Sequence, residues 1–273
     1  MRSISIKETP SRDCITAFFK SLPCFSRDVK RNPAFCEKSP EIFMKCKHSA
    51  EKCGIIAAVC YKEKQRISRD KTHETDHTTQ EDKTMAKIYV FLADGCEEIE
   101  GLTVVDIVRR AKLEMTTISI TDKKEVTSSH NVTFLTDALA SEVDFDGFDA
   151  IVLPGGMPGT LNLGASDIVN KIIKKFAAEG KIVAAICAAP SVLGAAGLLE
   201  GRHATCHPGF EEKLTGAITS EDAVVVDGNI ITSRGMGTAI DFGLAIVECL
   251  TEFDEEVVGH VKKGIVYRNF EEA

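Results

Sequence analysis

From residue 88 onward the pattern of apolar and polar positions switches repeatedly between two periods. Ile88–Leu92, Met115–Ile120, Ala150–Leu153 and Ile182–Ile186 are short runs rich in β-branched residues, with the length of buried strands. Between them, Ile99–Ala111 repeats apolar residues at helical spacing through Leu102, Val105, Ile107 and Val108. It closes on Arg109 and Arg110, where cations suit the helix dipole. Ile168–Ala178 is a second amphipathic helix, ended by Gly180. Val126–Leu135 predicts a short strand pair turning around Ser128–Asn131. Ala223–Val226 and Ile230–Thr232 flank a hairpin signal, Asp227-Gly228-Asn229. Thr238–Leu250 and Glu255–Lys262 predict the last two helices. Strands alternating with helices predict an α/β fold, a mostly parallel sheet with helices on both faces.

In such sheets ligands gather beyond the carboxyl ends of the strands. Three distinctive segments fall there: Asp94–Glu100, Pro154–Gly159 and Cys187–Pro190. Cys187 ends the apolar strand of KIVAAICAAP, and a small-residue segment predicting a helix through Gly197 follows at once. Free amides and the positive end of a helix favour a thiolate, the nucleophilic form. The competing reading of Cys187 is a small buried core residue.

Other groups converge on the same strand ends. Of Glu97, Glu98 and Glu100, the first two suit an acidic first helical turn, whereas Glu100, between Ile99 and Leu102, is expected to point inward. A carboxyl held beside a thiol tends to be protonated and to share its proton, as nucleophilic and acid–base catalysis require. The loop Leu153–Gly159 lacks both GxGxxG and a Walker lysine, which weakens a phosphate-binding reading. Its Gly155 and Gly156 amides either face an oxyanion beside Cys187 or belong to an ordinary tight turn. His207 before Pro208 is either a general base or structural, and neighbouring Cys206 has no ligand cluster that would make it a metal site. Arg234, in a strand-end turn, is either an ion-pair partner or an anion contact.

Charge divides the chain in two. Residues 1–84 carry 17 Lys+Arg and 12 Asp+Glu, a net of +5, whereas residues 85–273 carry 16 and 29, a net of −13. So acidic a body argues against non-specific nucleic-acid binding. No apolar run approaches the roughly 20 residues that span a bilayer. Cys96, Cys187, Cys206 and Cys249 lie far apart, which suits reduced thiols in a cytoplasmic protein. Residues 1–84 show no sustained periodicity and hold six cysteines with no Cys-x-x-Cys pair. Three readings compete for them: a dispensable or spurious extension, a targeting segment or tail, and a folded module. Met85-Ala86-Lys87 leads directly into the first strand and favours the first, with a single domain over 85–273.

Taken together, Gly95–Glu100 (GCEEIE), Leu153–Gly159 (LPGGMPG), Ala184–Pro190 (AAICAAP), His207-Pro208 and Ser233–Glu248 closely resemble the DJ-1/PfpI (ThiJ) superfamily, in its DJ-1 and YajL-like branch. The resemblance covers essentially all of 85–273 and nothing before Met85. It implies a flavodoxin-like α/β sandwich that forms a homodimer. It further implies that Cys187 is a reactive, oxidisable nucleophile, Glu100 its protonated partner, Gly155, Gly156 and the Ala188 amide an oxyanion pocket, and His207 a histidine close to the cysteine. The implied activity is a cofactor-free glyoxalase or deglycase, needing no metal or nicotinamide. Its substrate would be a small aldehyde or glycated amine, converted to a 2-hydroxy acid. A redox-responsive chaperone or oxidative-stress sensor using the same thiol is the alternative. Two departures matter. The protease branch carries His directly after the nucleophile, where this chain has Ala188, which argues against a protease. Ser128 and His130 replace a cysteine and an arginine near the family's dimer interface.

Overall fold

The computed structural model describes residues 86–268. The expectations for residues 1–84, and for a functional start at Met85, lie outside the described residues. The elements run β1 (Lys87–Leu92), α1 (Glu98–Arg110), β2 (Glu114–Ser119), β3 (Glu125–Thr127), β4 (Thr133–Leu135), β5 (Ala138–Leu139) and β6 (Ala150–Leu153). Then follow α2 (Gly159–Ala165), α3 (Asp167–Ala178), β7 (Ile182–Ile186), α4 (Pro190–Ala195), β8 (His203–Ala204) and β9 (Ile218–Thr219). The chain closes with β10 (Val224–Asp227), β11 (Ile230–Ser233), α5 (Ala239–Leu250) and α6 (Glu255–Gly264).

Seven strands form one sheet in the order β10-β11-β7-β6-β1-β2-β5. Every neighbouring pair is parallel except β10–β11, which is the expected hairpin. Because strand side chains alternate, the sheet feeds two separate cores. Ile88, Val90, Leu92, Val152, Ala184 and Ile186 face one side and pack with Val104, Ile107 and Val108 of α1 and Phe242 and Ile246 of α5. Tyr89, Phe91, Ile151, Leu153, Val183 and Ala185 face the other and meet Val169, Ile173 and Phe176 of α3 and Leu193 of α4. This is the flavodoxin-like α/β sandwich expected from the sequence. No helix among the described residues is long and apolar enough to cross a membrane.

The differences from expectation are local. β5 has two residues, too few to leave a periodic signature, and α2 is a seven-residue helix opening on the last glycine of the loop. On α1 the buried stripe runs through Glu100, Gly101, Val104, Val105 and Val108, so Leu102 falls outside it and is 39% exposed. The helix expected from Cys187 to Gly197 shrinks to Pro190–Ala195, because Cys187 has φ of 65° and the residues after it turn before the helix begins.

The hairpin end of the sheet is anchored by Asn229, which is buried and donates from Nδ2 to the carbonyls of Lys181 (2.8 Å) and Ala177 (3.2 Å). These bonds tie the β10–β11 turn to the chain between α3 and β7. Asn229→Ala removes both bonds and is expected to destabilise the fold by about 1–3 kcal/mol. Urea unfolding that shows an unchanged midpoint would contradict this anchoring role.

Candidate active site

The site is assembled from the ends of the central strands. Cys187 is the first residue past β7. Its N–H donates to the Ser233 carbonyl (2.9 Å) at the end of β11, and its carbonyl accepts from the His207 N–H (2.8 Å). Held from both sides, it adopts the left-handed φ of 65°, which costs a side-chain-bearing residue about 1–2 kcal/mol. The side chain is half-buried and packs at the edge of the α1–α5 core.

Glu100 reaches the thiol from α1 and is only 1% exposed. Its Oε2 accepts from the Gly155 N–H at 2.9 Å, its carboxyl hydrogen-bonds the Cys187 thiol, and the Met236 amide reaches it as well. Gly155 has to be glycine. A Cβ there would lie 2.6 Å from the Cys187 Cβ and 2.8 Å from Glu100 Oε2. Its neighbour Gly156 has φ of 87°, and a Cβ would meet the Glu97 nitrogen at 2.2 Å.

The start of α1 is fixed by the β3–β4 hairpin. Gly95 N–H donates to Thr127 O, Ser129 N–H to Cys96 O and Thr127 N–H to Asp94 Oδ1, each at 2.8 Å. Ser128 is buried, and its Oγ accepts from the Val132 N–H (3.1 Å), shaping the hairpin turn. His130, on the same turn, lies 3.2 Å from Glu98 Oε2 and 3.5 Å from Glu97 Oε2. The hydrogen bond and charge of Glu98, with Glu97 behind it, raise the His130 pKa. Glu97, Glu98 and His130 thus form an ion-paired cap on the helix start, where its dipole favours carboxylates.

Burial pushes the Glu100 carboxyl up to about 7, against the lowering hydrogen bonds from Cys187 and Gly155. The Cys187 thiol is also pushed up, by burial first and then by the Glu100 charge, while the Ala188 and Gly156 amides favour its thiolate. Two groups that each resist ionisation beside the other titrate as a pair, and loss of the first proton leaves one between them. With the proton on Glu100, the charge opposing the thiolate disappears and the two amides remain. This differs in detail from the sequence-based picture. The Gly155 amide is occupied by Glu100, so the donors aimed at sulfur are Gly156 and Ala188, and they act as individual amides where α4 is too short to add a large dipole.

His207 sits on the loop after β8, which is tied to the sheet by His203 N–H to Asp227 Oδ2 (2.8 Å) and Thr205 N–H to Thr232 Oγ1 (2.9 Å). Its Nδ1 lies 2.9 Å from the Pro208 carbonyl. A carbonyl only accepts, so Nδ1 carries a proton and is committed to this bond. Its Cδ2 edge and the Cys187 Sγ lie 3.7 and 3.8 Å from the Cβ position that Gly235 leaves empty. His207 therefore borders the thiol without a hydrogen bond to it. Sequence reasoning missed Ser233, Gly235 and Met236. The signals for them were their place at a strand end and the turn after it, within a segment that carries the family resemblance.

The DJ-1/PfpI family model matches residues 86–249, and the chain belongs to the DJ-1/PfpI family. Among particular relatives, it is 39% identical over 166 residues to protein DJ-1 homolog B of Arabidopsis thaliana, covering 60% of this chain and 38% of that one. The chain thus spans well under half the length of that relative. It is 38% identical to protein dj-1beta of Drosophila melanogaster, covering 65% of this chain and 95% of the relative. The crystal structure of Drosophila DJ-1beta superposes with a TM-score of 0.63 at 36% identity, covering 67% of this chain and 98% of that one. A Caenorhabditis elegans relative named glutathione-independent glyoxalase DJR-1.2 is 33% identical, covering 58% of this chain and 84% of its own.

Glu100 gives the fold a definite pH signature. A carboxyl whose pKa rises from 4.5 unfolded to about 7 folded keeps its full contribution below pH 4.5 and loses it as pH rises through 7. Glutamine at this position does not titrate. The stability of the parent minus that of Glu100→Gln is therefore expected to fall between pH 5 and 8, by up to about 3 kcal/mol. Denaturant unfolding of both proteins at the two pH values measures it, and a difference that stays constant contradicts the buried, proton-holding Glu100.

Proposed function

We propose that this protein is a cysteine-dependent, cofactor-independent glyoxalase or deglycase that converts 2-oxoaldehydes, free or as early adducts on amines, to 2-hydroxy acids. The observation that carries this reading is the buried Glu100 carboxyl hydrogen-bonded to the Cys187 thiol, its pKa raised by burial to about 7. A general acid–base group is most effective when its pKa lies near the working pH. The family relationship and the relative named as a glyoxalase support the reading.

In this mechanism the Cys187 sulfur attacks the aldehyde carbon. A C–S bond forms, and the carbonyl electron pair moves to oxygen, which the Gly156 and Ala188 amides stabilise and Glu100 protonates. The resulting hemithioacetal loses its C1 proton to the Glu100 carboxylate or to Nε2 of His207, giving an enediol-like intermediate. Reprotonation at C2 yields the thioester of a 2-hydroxy acid, and water cleaves the C–S bond to release the acid and restore the thiol. C1 is oxidised and C2 reduced within one molecule, so water is the only co-reactant.

Cys187→Ser and Glu100→Gln are each expected to lower conversion of methylglyoxal to lactate by about a hundredfold or more. The assay needs the purified protein without added glutathione. Parent-level rates in either variant would refute the mechanism. A parent without turnover, whose Cys187 is nonetheless the first thiol oxidised by mild peroxide, would favour the redox-sensing alternative.

Pairing with a second copy belongs to the same proposal. A groove of about 500 Å³ runs between α1, the start of α5 and the end of α6, lined in part by Ile99, Leu102, Ile240 and Ile265. Three of these are exposed large apolar side chains, Ile99 at 48%, Leu102 at 39% and Ile240 at 45%. Exposed apolar side chains gathered in one groove, rimmed by Glu98, Asp106 and Arg110, suit a surface that a partner covers. The family resemblance supports a second copy as that partner. Sedimentation is expected to show a dimer for the parent and a shift towards monomer for Leu102→Glu; a monomeric parent at micromolar concentration would overturn this part.

A further inference from the structure

Gly235 borders the three reactive groups of the site, and nothing in the fold explains why it has no side chain. A Cβ at Gly155, Gly156 or Gly159 would meet neighbouring atoms at 2.6, 2.2 and 2.5 Å, so those glycines are required by close packing. At Gly235 the nearest atoms lie 3.7 Å or more from the Cβ position, an ordinary contact distance. Its φ of 163° is extended backbone, so no left-handed turn calls for glycine either. Its polar main-chain groups are already engaged. The N–H donates to Thr238 Oγ1 (3.2 Å), and the carbonyl accepts from that hydroxyl (2.9 Å) and from the Thr238 N–H (2.8 Å). Gly235 is therefore held in place and offers no free amide to a substrate.

What the missing side chain leaves is room. The three atoms nearest the vacant Cβ position belong to the three groups that the proposed mechanism uses: Cys187 Sγ at 3.8 Å, Glu100 Oε1 at 3.8 Å and His207 Cδ2 at 3.7 Å. An atom placed there touches nucleophile, carboxyl and imidazole at once. Gly235 is partly exposed and His207 exposed, so the position is reached from solvent on that side. A carbon about to be attacked stands about 3–3.5 Å from its nucleophile. The vacant position lies just beyond that distance, where the atoms joined to the attacked carbon must go.

We propose that Gly235 is a specificity-determining residue whose missing Cβ makes room for a carbon substituent on the second carbon of a 2-oxoaldehyde. Glyoxal carries only hydrogen at that carbon. Methylglyoxal carries a methyl group, the volume that an alanine side chain at position 235 would take. The space over Gly235 thus admits ketoaldehydes to a site that alanine would restrict to the smallest dialdehyde. The inference rests on the carbonyl-converting reading above, but the first arm of its test does not need turnover.

In that arm Cys187 of the full chain is alkylated with iodoacetamide and with 2-iodopropanamide, which differ by one methyl on the reacting carbon. Peptide mass spectrometry reports that residue alone. The ratio of the branched to the unbranched rate, taken within each protein, cancels differences in thiolate content. Gly235→Ala is expected to lower this ratio about tenfold, the lower end of what one methylene decides in a fitted pocket. Its urea midpoint is expected to stay at that of the parent, because the fold does not ask for glycine here. In the second arm the same variant is expected to lower kcat/KM for methylglyoxal relative to glyoxal, again about tenfold. An alkylation ratio equal to that of the parent overturns the proposal, including the case in which both reagents slow alike, as a merely structural role would have it. So does a midpoint well below that of the parent, which would make Gly235 a requirement of the fold. A parent that turns over neither aldehyde would instead remove the carbonyl-converting reading, while the alkylation ratio still decides whether Gly235 sets the room at sulfur.

Discussion

The site depends on a buried carboxyl held in hydrogen-bond contact with a half-buried thiol. Glu100 lies almost entirely out of water and touches a half-buried thiol. Neither group ionises easily there, and both ionised together would place two negative charges in contact. The surroundings therefore supply donors to each of them: Gly155 and Met236 amides to the carboxyl, Gly156 and Ala188 amides to the sulfur. The arrangement leaves no space for another atom, which is why position 155 has no Cβ. Chemistry at sulfur and the closeness of the glycine loop are thus one constraint seen from two sides.

The fold meets that constraint by drawing each member from a different strand end. β1 leads into the loop that starts α1 and carries Glu100. β6 leads into Gly155 and Gly156, β7 ends at Cys187, and β11 ends at the Ser233 carbonyl. These four strands are adjacent in the sheet and parallel. Their ends consequently open on one edge, and small adjustments in the connecting loops suffice to bring the groups into contact. The β3–β4 hairpin and the loop after β8 lie outside this sheet but complete the enclosure. One pins the start of α1, and the other brings His207 to the far side of the thiol.

Much of this was legible from residue pattern. The two periods separated strands from helices because one burial face repeats every second residue and the other every three or four. The Asp227-Gly228-Asn229 turn was readable because its backbone requirement is met by few residues. Cys187, Glu100 and the glycine loop were legible because each combines a chemical group with a place at a strand end. What stayed hidden was of a different kind. Ser233 and Met236 contribute backbone atoms, which every residue possesses, so no side-chain type marks them. The engagement of the Gly155 amide by Glu100 is a contact between residues 55 apart in sequence. Leu102 shows the converse, an apolar residue at helical spacing whose phase only the packed helix reveals.

The strained backbone at Cys187 gives a reason why the His207 loop belongs to the site even without a side-chain hydrogen bond to sulfur. A non-glycine residue at φ of 65° stays there only when its surroundings outweigh the strain. Here they do so through two main-chain bonds, Cys187 N–H to Ser233 O and His207 N–H to Cys187 O. The second bond means that any displacement of the loop after β8 is felt first by the carbonyl of Cys187. Arg202 and His203 hold that loop to Asp227, and Thr205 holds it to Thr232. The backbone that carries the sulfur is therefore tied, through this loop, to polar contacts on β10 and β11. Substitutions there would alter reactivity without touching a group that takes part in the chemistry.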